Sequence, residues 1–156
     1  MFDSKGNSKI CDFGECLKIS DHSIAYVNLK KFYNSPESLR DKTLYYAQDF
    51  WNLGICIFGL LTGKYPFQTK ESVLNDQLPD MNEARSNKLE EFKVSNESYQ
   101  IVTKLLNKDH KQRLASVDIK MEPFYKDFDW IKLENGSMEP PIKPKLVIII
   151  YSLKTF

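Results

Sequence analysis

Residues 49–62 place apolar side chains at nearly every angle of a helical wheel: Phe50, Trp51, Leu53, Ile55, Cys56, Ile57, Phe58, Leu60 and Leu61. A surface helix keeps a polar stripe; this run has almost none, and it is too long for a single strand. The pattern predicts a helix buried on all sides at the centre of the domain, closed by Gly63 just past its last turn. Beyond Pro66, Thr69 is placed to cap a short helix running to Leu74. Ser95 or Asn96 is placed to cap a helix that lines up Tyr99, Val102, Leu105 and Leu106 on one side. Ser116 caps another short helix ending before Pro123. At the start of the chain, a turn at Lys5-Gly6-Asn7 leads to a short strand around residues 9–11 that stops at Asp12-Phe13-Gly14. Residues 15–48 show no sustained helical period and contain Pro36. They read as a long, partly ordered loop in which Tyr26, Leu29, Phe32 and Tyr33 need something to pack against. Pro140, Pro141 and Pro144 favour extended chain, and the apolar run 146–150 follows at once. The expected fold is mainly α, with one central helix and a proline-anchored tail.

Composition narrows the classes. A chain of 156 residues with 42% apolar residues is enough for one packed core. The 22 Lys and Arg nearly balance the 21 Asp and Glu, so the basic face needed for nucleic-acid binding is not expected, and Lys30-Lys31 reads as solvated surface. Cys11, Cys16 and Cys56 have neither Cys-x-x-Cys spacing nor histidine neighbours, which argues against a disulfide framework or a structural zinc site. The first ten residues contain no apolar export segment, and the apolar runs 55–61 and 146–151 are too short to span a bilayer. The expectation is a soluble, reduced protein of the cytoplasm or nucleus.

Several short motifs then fall in one order. Asp12-Phe13-Gly14 matches DFG, Ser35-Pro36-Glu37 matches Ala-Pro-Glu, Asp49-Phe50-Trp51-Asn52-Leu53-Gly54 matches D-x-W-x-x-G, and Gly63-Lys64-Tyr65-Pro66-Phe67 matches G-x-x-P-F. Arg113-Leu114 matches the arginine region before the last helix. A lone DFG is weak, but the ordered series resembles the C-terminal lobe of eukaryotic protein kinases over roughly residues 8–146. The stretch from Leu105 to Leu114 resembles the L-L-x-x-D-P-x-x-R-L of the AGC group of serine/threonine kinases, with His110 in place of proline. Residues 118–125 resemble D-I-K-x-H-P-F-F, with Glu122 in place of histidine. Phe128-Asp129-Trp130 and Pro140-Pro141-Ile142-Lys143-Pro144 match the group's I-D-W and P-P-x-x-P. On this resemblance, residues 1–139 are a partial kinase domain from DFG onward, and residues 140–156 a truncated or divergent tail.

The resemblance implies ATP and Mg2+ as cofactors of the intact family. Asp12 would ligate the metal, with Phe13 as packing hinge and Gly14 as flexible point; the plainer reading of Asp12 is a turn residue capping a following N–H. Glu37 and Arg113 would form a structural ion pair, against the alternative of two unrelated surface charges. Asp49 would accept N–H bonds from the catalytic loop, while also suiting a helix N-terminus. Trp51 and Gly54 would pack. In the activation segment, the regulatory phosphothreonine position falls near Tyr26 and the substrate-site threonine position at Lys30; only Tyr33 survives of G-T-P-E-Y. Ser20 and Ser23 remain as phosphorylation candidates. Within these residues there is no Gly-rich loop, strand lysine or H-R-D-x-x-x-x-N loop. No residue is therefore expected to be catalytic in this chain alone. Two functions are consistent with these residues: part of an AGC-like serine/threonine kinase, inactive by itself, or a degenerate kinase lobe used as a binding or regulatory module. The expected partners are a protein substrate or a small-lobe or regulatory protein. The first function also predicts exposed apolar surface where elements preceding DFG pack. The run 146–150 would be aggregation-prone if exposed; it is either a strand laid over the domain's own core or a sequence artefact or non-native ending.

Overall fold

Helix formation in the computed structural model follows local capping and burial closely. It describes residues 1–16, 33–42, 45–85 and 93–141. Two units are distinguished, Leu17–Lys126 and a second made of Met1–Cys16 with Asp127–Phe156.

Within Leu17–Lys126 the helices are α1 (Pro36–Asp41), α2 (Ala47–Thr62), α3 (Lys70–Asn75), α4 (Met81–Ala84) and α5 (Asn96–Leu105). The long apolar run becomes α2, and Gly63 ends it at φ 74°, donating its N–H to the Gly59 carbonyl at 2.8 Å. A left-handed residue there costs glycine little and other residues more. Thr69 and Ser72 form a reciprocal capping box for α3, and Ser95 caps α5 through the Ser98 N–H. Ser116 caps the segment after it as expected, but that segment is a 3-10 turn, Val117–Met121, succeeded by a second, Pro123–Tyr125. Two helices go beyond the hydrophobic pattern. α1 lies inside the stretch read as a loop, because Pro36 occupies its first position, where a missing N–H costs nothing. α4 has one turn, capped by Asp80 and anchored by buried Met81, too short for a period to register.

The core gathers Trp51, Ile55, Phe58, Phe67, Val73, Met81, Ile101, Val102, Leu105 and Leu106. Trp51 and Phe67 stack at 5.8 Å between centroids and 7° between planes. α2 packs on α5 and α4, and α1 on α3. Tyr33 is partly buried against the same core; Tyr26, Leu29 and Phe32 lie outside the described residues. Burial of α2 is one-sided rather than complete. Trp51, Gly54, Ile55, Phe58 and Thr62 face inward, whereas Leu60 is 81% exposed, Leu53 38%, and Cys56 is exposed too. The physical reason is that no described element covers this side of the helix.

In the second unit, Met1–Cys16 makes a tight turn. The Asp3 carboxylate accepts from the N–H groups of Lys5 and Asn7 and from the Asn7 side chain, at 2.9–3.0 Å, with Gly6 at φ 92°. The short strand expected at residues 9–11 is reduced to an isolated antiparallel bridge, Phe2 with Ser8, since a strand exists only as part of a ladder. Asp127–Phe156 contributes α6 (Trp130–Glu134), capped by Asp129. The apolar run 146–150 lies outside the described residues. Among the described residues no helix is long and apolar enough to cross a membrane.

Close approach of α2 and α5 depends on Gly54. A Cβ there would sit 2.8 Å from Leu106 Cδ2 and 2.9 Å from Leu105 Cβ. Because these are branched side chains in a filled core, Gly54→Ala is expected to cost about 1–3 kcal/mol through overpacking. Urea denaturation measures it, and an unchanged midpoint would refute the close-packing account.

Candidate functional site

A guanidinium deprived of water has to find acceptors inside the protein. Arg113 finds them on three segments. Its Nη1 and Nη2 donate to Glu37 Oε1 and Oε2 at 2.6 and 2.9 Å, Nη1 also donates to the Ala47 carbonyl at 3.0 Å, and Nε donates to the Asn107 carbonyl at 2.9 Å. Its plane lies 5.0 Å from the Trp51 ring centroid, a cation–π distance. The Arg113 side chain is wholly buried and that of Glu37 almost so. Glu37 comes from α1, Ala47 and Trp51 from α2, and Asn107 from the chain just after α5. One side chain therefore ties these elements together.

Burial alone would raise the Glu37 pKa. The hydrogen bonds and charge of Arg113, helped by Ser35, outweigh it and leave the carboxyl lowered.

Asp49 occupies the first turn of α2, where negative charge is favoured, yet its carboxylate is exposed and has no hydrogen-bond partner among the described residues. On the helical wheel it shares a face with Leu53, Cys56 and Leu60, at spacings of four and three residues. The exposed end of that face continues into an open apolar groove lined by Ile55, Cys56, Gly59, Leu60, Lys64 and Tyr65. Trp51 and Gly54 are packing residues by geometry: one fills the core and the other lets α5 approach.

Asp12, Phe13 and Gly14 belong to the other unit. Asp12 adopts φ 66° and ψ 71°, a left-handed conformation uncommon for a residue with a Cβ. Its side chain is exposed and makes no capping bond to the 3-10 turn Phe13–Glu15 that comes next. Strain of this kind, with no local hydrogen bond to offset it, concentrates at functional positions. Phe13 is 65% exposed, and a Cβ on Gly14 would lie 3.5 Å from Asp12 Oδ1. For Mg2+ this is an incomplete donor set. The ion wants six oxygens, Asp12 supplies one carboxylate, and no group of three or more His, Cys, Asp or Glu suited to a metal exists among the described residues. Ser20, Ser23, Tyr26 and Lys30 lie outside those residues.

Sequence reasoning missed a buried polar cluster of Ser35, Ser38, Gln48 and Asn52 beside the ion pair. The available signal was Ser35 standing where the family motif has alanine, and a glutamine directly before Asp49.

A mainly helical domain whose central helix is pinned through a buried Glu–Arg pair, with DFG, Ala-Pro-Glu-like and D-x-W-x-x-G segments in that order, is of the protein kinase C-terminal-lobe class. The sequence profile of the protein kinase domain matches residues 1–125, and the chain belongs to the protein kinase family. It is 29% identical over 150 residues to a Dictyostelium discoideum protein described as a probable serine/threonine-protein kinase, 92% of this chain and 32% of that protein. With the serine/threonine-protein kinase SCH9 of Saccharomyces cerevisiae it shares 32% identity, covering 94% of this chain and 18% of the relative. With protein kinase C epsilon type of Rattus norvegicus the identity is 28%, covering 94% and 20%. These relatives agree with the resemblance to AGC-type serine/threonine kinases. The chain thus spans about a fifth to a third of the length of the curated relatives it matches.

Arg113 also sets an expectation for pH. Because the folded pKa of Glu37 lies below its unfolded value of about 4.3, the pair's stabilisation is present above that value and is lost as pH falls through the folded pKa. Arg113→Met leaves a buried carboxylate unpaired and is expected to cost about 3–5 kcal/mol near neutral pH. Glu37 then keeps only the hydrogen bonds of Ser35 and its own backbone N–H against the effect of burial, so its folded pKa is higher than in the wild type and less stability is lost towards acid pH. Denaturant unfolding from pH 3 to 7 reads both effects. A parallel pair of curves for wild type and variant would contradict the assignment.

Proposed function

We propose that residues 1–156 form the C-terminal-lobe portion of an AGC-like serine/threonine protein kinase, and that they do not transfer phosphate by themselves. The observation that carries this reading is the open face of α2. Leu53, Cys56 and Leu60 are exposed on the helix that organises the core, next to an Asp49 carboxylate with no described partner. A contiguous apolar face flanked by an unused acceptor suits a seat for further protein. In the intact family, the elements before DFG supply the nucleotide-binding loop and the catalytic loop. On this reading residues 1–139 are the partial kinase domain and 140–156 the divergent tail. Asp12 would give one oxygen to Mg2+ on ATP phosphates, with Phe13 and Gly14 lining the nucleotide side, and the substrate would be a protein serine or threonine.

A second reading, a degenerate kinase lobe acting as a binding or regulatory module, is favoured by the activation-segment sequence Leu29-Lys30-Lys31-Phe32-Tyr33. It places lysine where the family has its substrate-site threonine. On that reading the 156-residue product itself retains a protein partner through the α2 face, without nucleotide.

Purified residues 1–156 are expected to show no ATP-dependent phosphorylation of a generic Ser/Thr substrate. Clear turnover abolished by Asp12→Asn would defeat the proposal. Leu60→Asp is expected to cost the isolated chain no more than about 1.5 kcal/mol, from lower helix propensity and a negative charge in the last turn of α2, since the residue is already in water. A loss of several kcal/mol in thermal or urea unfolding would mean that the face is already covered.

A further inference from the structure

In the buried cluster beside the ion pair, Ser38 and Gln48 lie outside the motifs that define the family, and Ser35 stands where the motif has alanine. The Gln48 side-chain oxygen accepts the Ser35 N–H at 3.1 Å and lies 2.7 Å from the hydroxyls of both Ser35 and Ser38, which are 2.9 Å from each other. The Gln48 side-chain NH2 donates to Asn52 Oδ1 at 2.9 Å. Ser35 and Ser38 are completely buried and Gln48 nearly so. The orientation of the amide follows from chemistry: a backbone N–H can only donate, so the oxygen faces Ser35 and the nitrogen is left for Asn52.

Apolar side chains of matching shape hold a core about as well as a satisfied polar cluster, so stability alone does not account for this one. Direction does. The Glu37–Arg113 pair holds α1 through one residue, and Gln48 adds a second attachment on the same helix start. Gln48 grips Ser35 and Ser38, on either side of Glu37 in sequence, and ties them to the first turn of α2. One hydroxyl donates to the Gln48 oxygen and the other to its neighbouring hydroxyl, in either order, so the buried N–H and both hydroxyls are satisfied together only while the start of α1 stays against the first turn of α2.

We propose that Gln48, with Ser35 and Ser38, is a positioning lock that fixes the start of α1 against the first turn of α2, and that it thereby orients a protein substrate in the joined kinase. The substrate part of this statement rests on the kinase reading above; the lock itself does not.

Amide hydrogen exchange on the full chain tests the lock. Gln48→Leu is expected to speed exchange of the Ser35 N–H by about tenfold beyond any change at Leu105 in the core of α5, which reports global opening. Ser38→Ala, which removes one hydroxyl and leaves the acceptor, is expected to give a smaller acceleration at Ser35 and serves if Gln48→Leu does not fold. Exchange at Ser35 that is unchanged, or that rises only in step with Leu105, overturns the lock. The orienting role is read with this chain joined in frame to the nucleotide-binding lobe and catalytic loop of an AGC kinase. There Gln48→Leu is expected to raise KM for a protein substrate about threefold while KM for ATP holds. Equal effects on both substrates overturn that role. An unsubstituted joined protein with no activity overturns the kinase reading and the orienting role with it, and leaves the lock to the exchange result.

Discussion

Arg113 has to be satisfied entirely from within, and the arrangement of the helical unit follows from that requirement. Its donors reach Glu37 on α1, a carbonyl at the start of α2 and another just beyond α5, while its flat face rests on Trp51. Losing Glu37 would strand the charge in a medium that penalises it heavily, and losing either carbonyl would leave a buried N–H unpaired, so the segments are held as a group. Lysine could not take this place: an ammonium has no planar fork to engage both carboxylate oxygens while reaching two carbonyls in other directions. With α1, α2 and the end of α5 fixed by polar geometry, the apolar contacts are left to fill space, and Gly54 lets them do so closely.

α2 consequently has two chemically similar sides with different fates. Trp51, Ile55 and Phe58 are buried by α4, α5 and their neighbours, while Leu53, Cys56 and Leu60 remain in water. Nothing in the side chains themselves separates the two groups. The difference lies in what packs against each, and this makes the open side, with Asp49 at its end, the most informative surface of the protein.

Departures from the AGC pattern are accommodated locally. Glu122, where the group has histidine, receives Lys104 from α5 at 2.9 and 2.7 Å and so ties that helix to the turn at Pro123. His110, in place of proline, stacks on Tyr45 with centroids 4.6 Å apart and planes 14° from parallel. Both of these residues have a partner of matching chemistry.

Much of this was legible before any coordinates. Apolar density marked α2, Gly63 its end, and the serine and threonine caps the starts of α3 and α5, because capping and helical period act over a few residues and leave a local trace. The order of short motifs was enough for the family. α1, α4 and α6 escaped because one or two turns carry no period, and the cluster around Gln48 escaped because its members are brought together only by the packing of α1 on α2. One-sided burial was equally out of reach: the composition of a helix says how much apolar surface must be covered, but not whether the covering elements are at hand. The sequence by itself determined the family, the central helix and the residue types that would carry charge. Which charges meet, which face stays open, and how one arginine holds three segments were decided by tertiary structure, since a buried ion pair between positions 37 and 113 exists only when long-range packing excludes water from both.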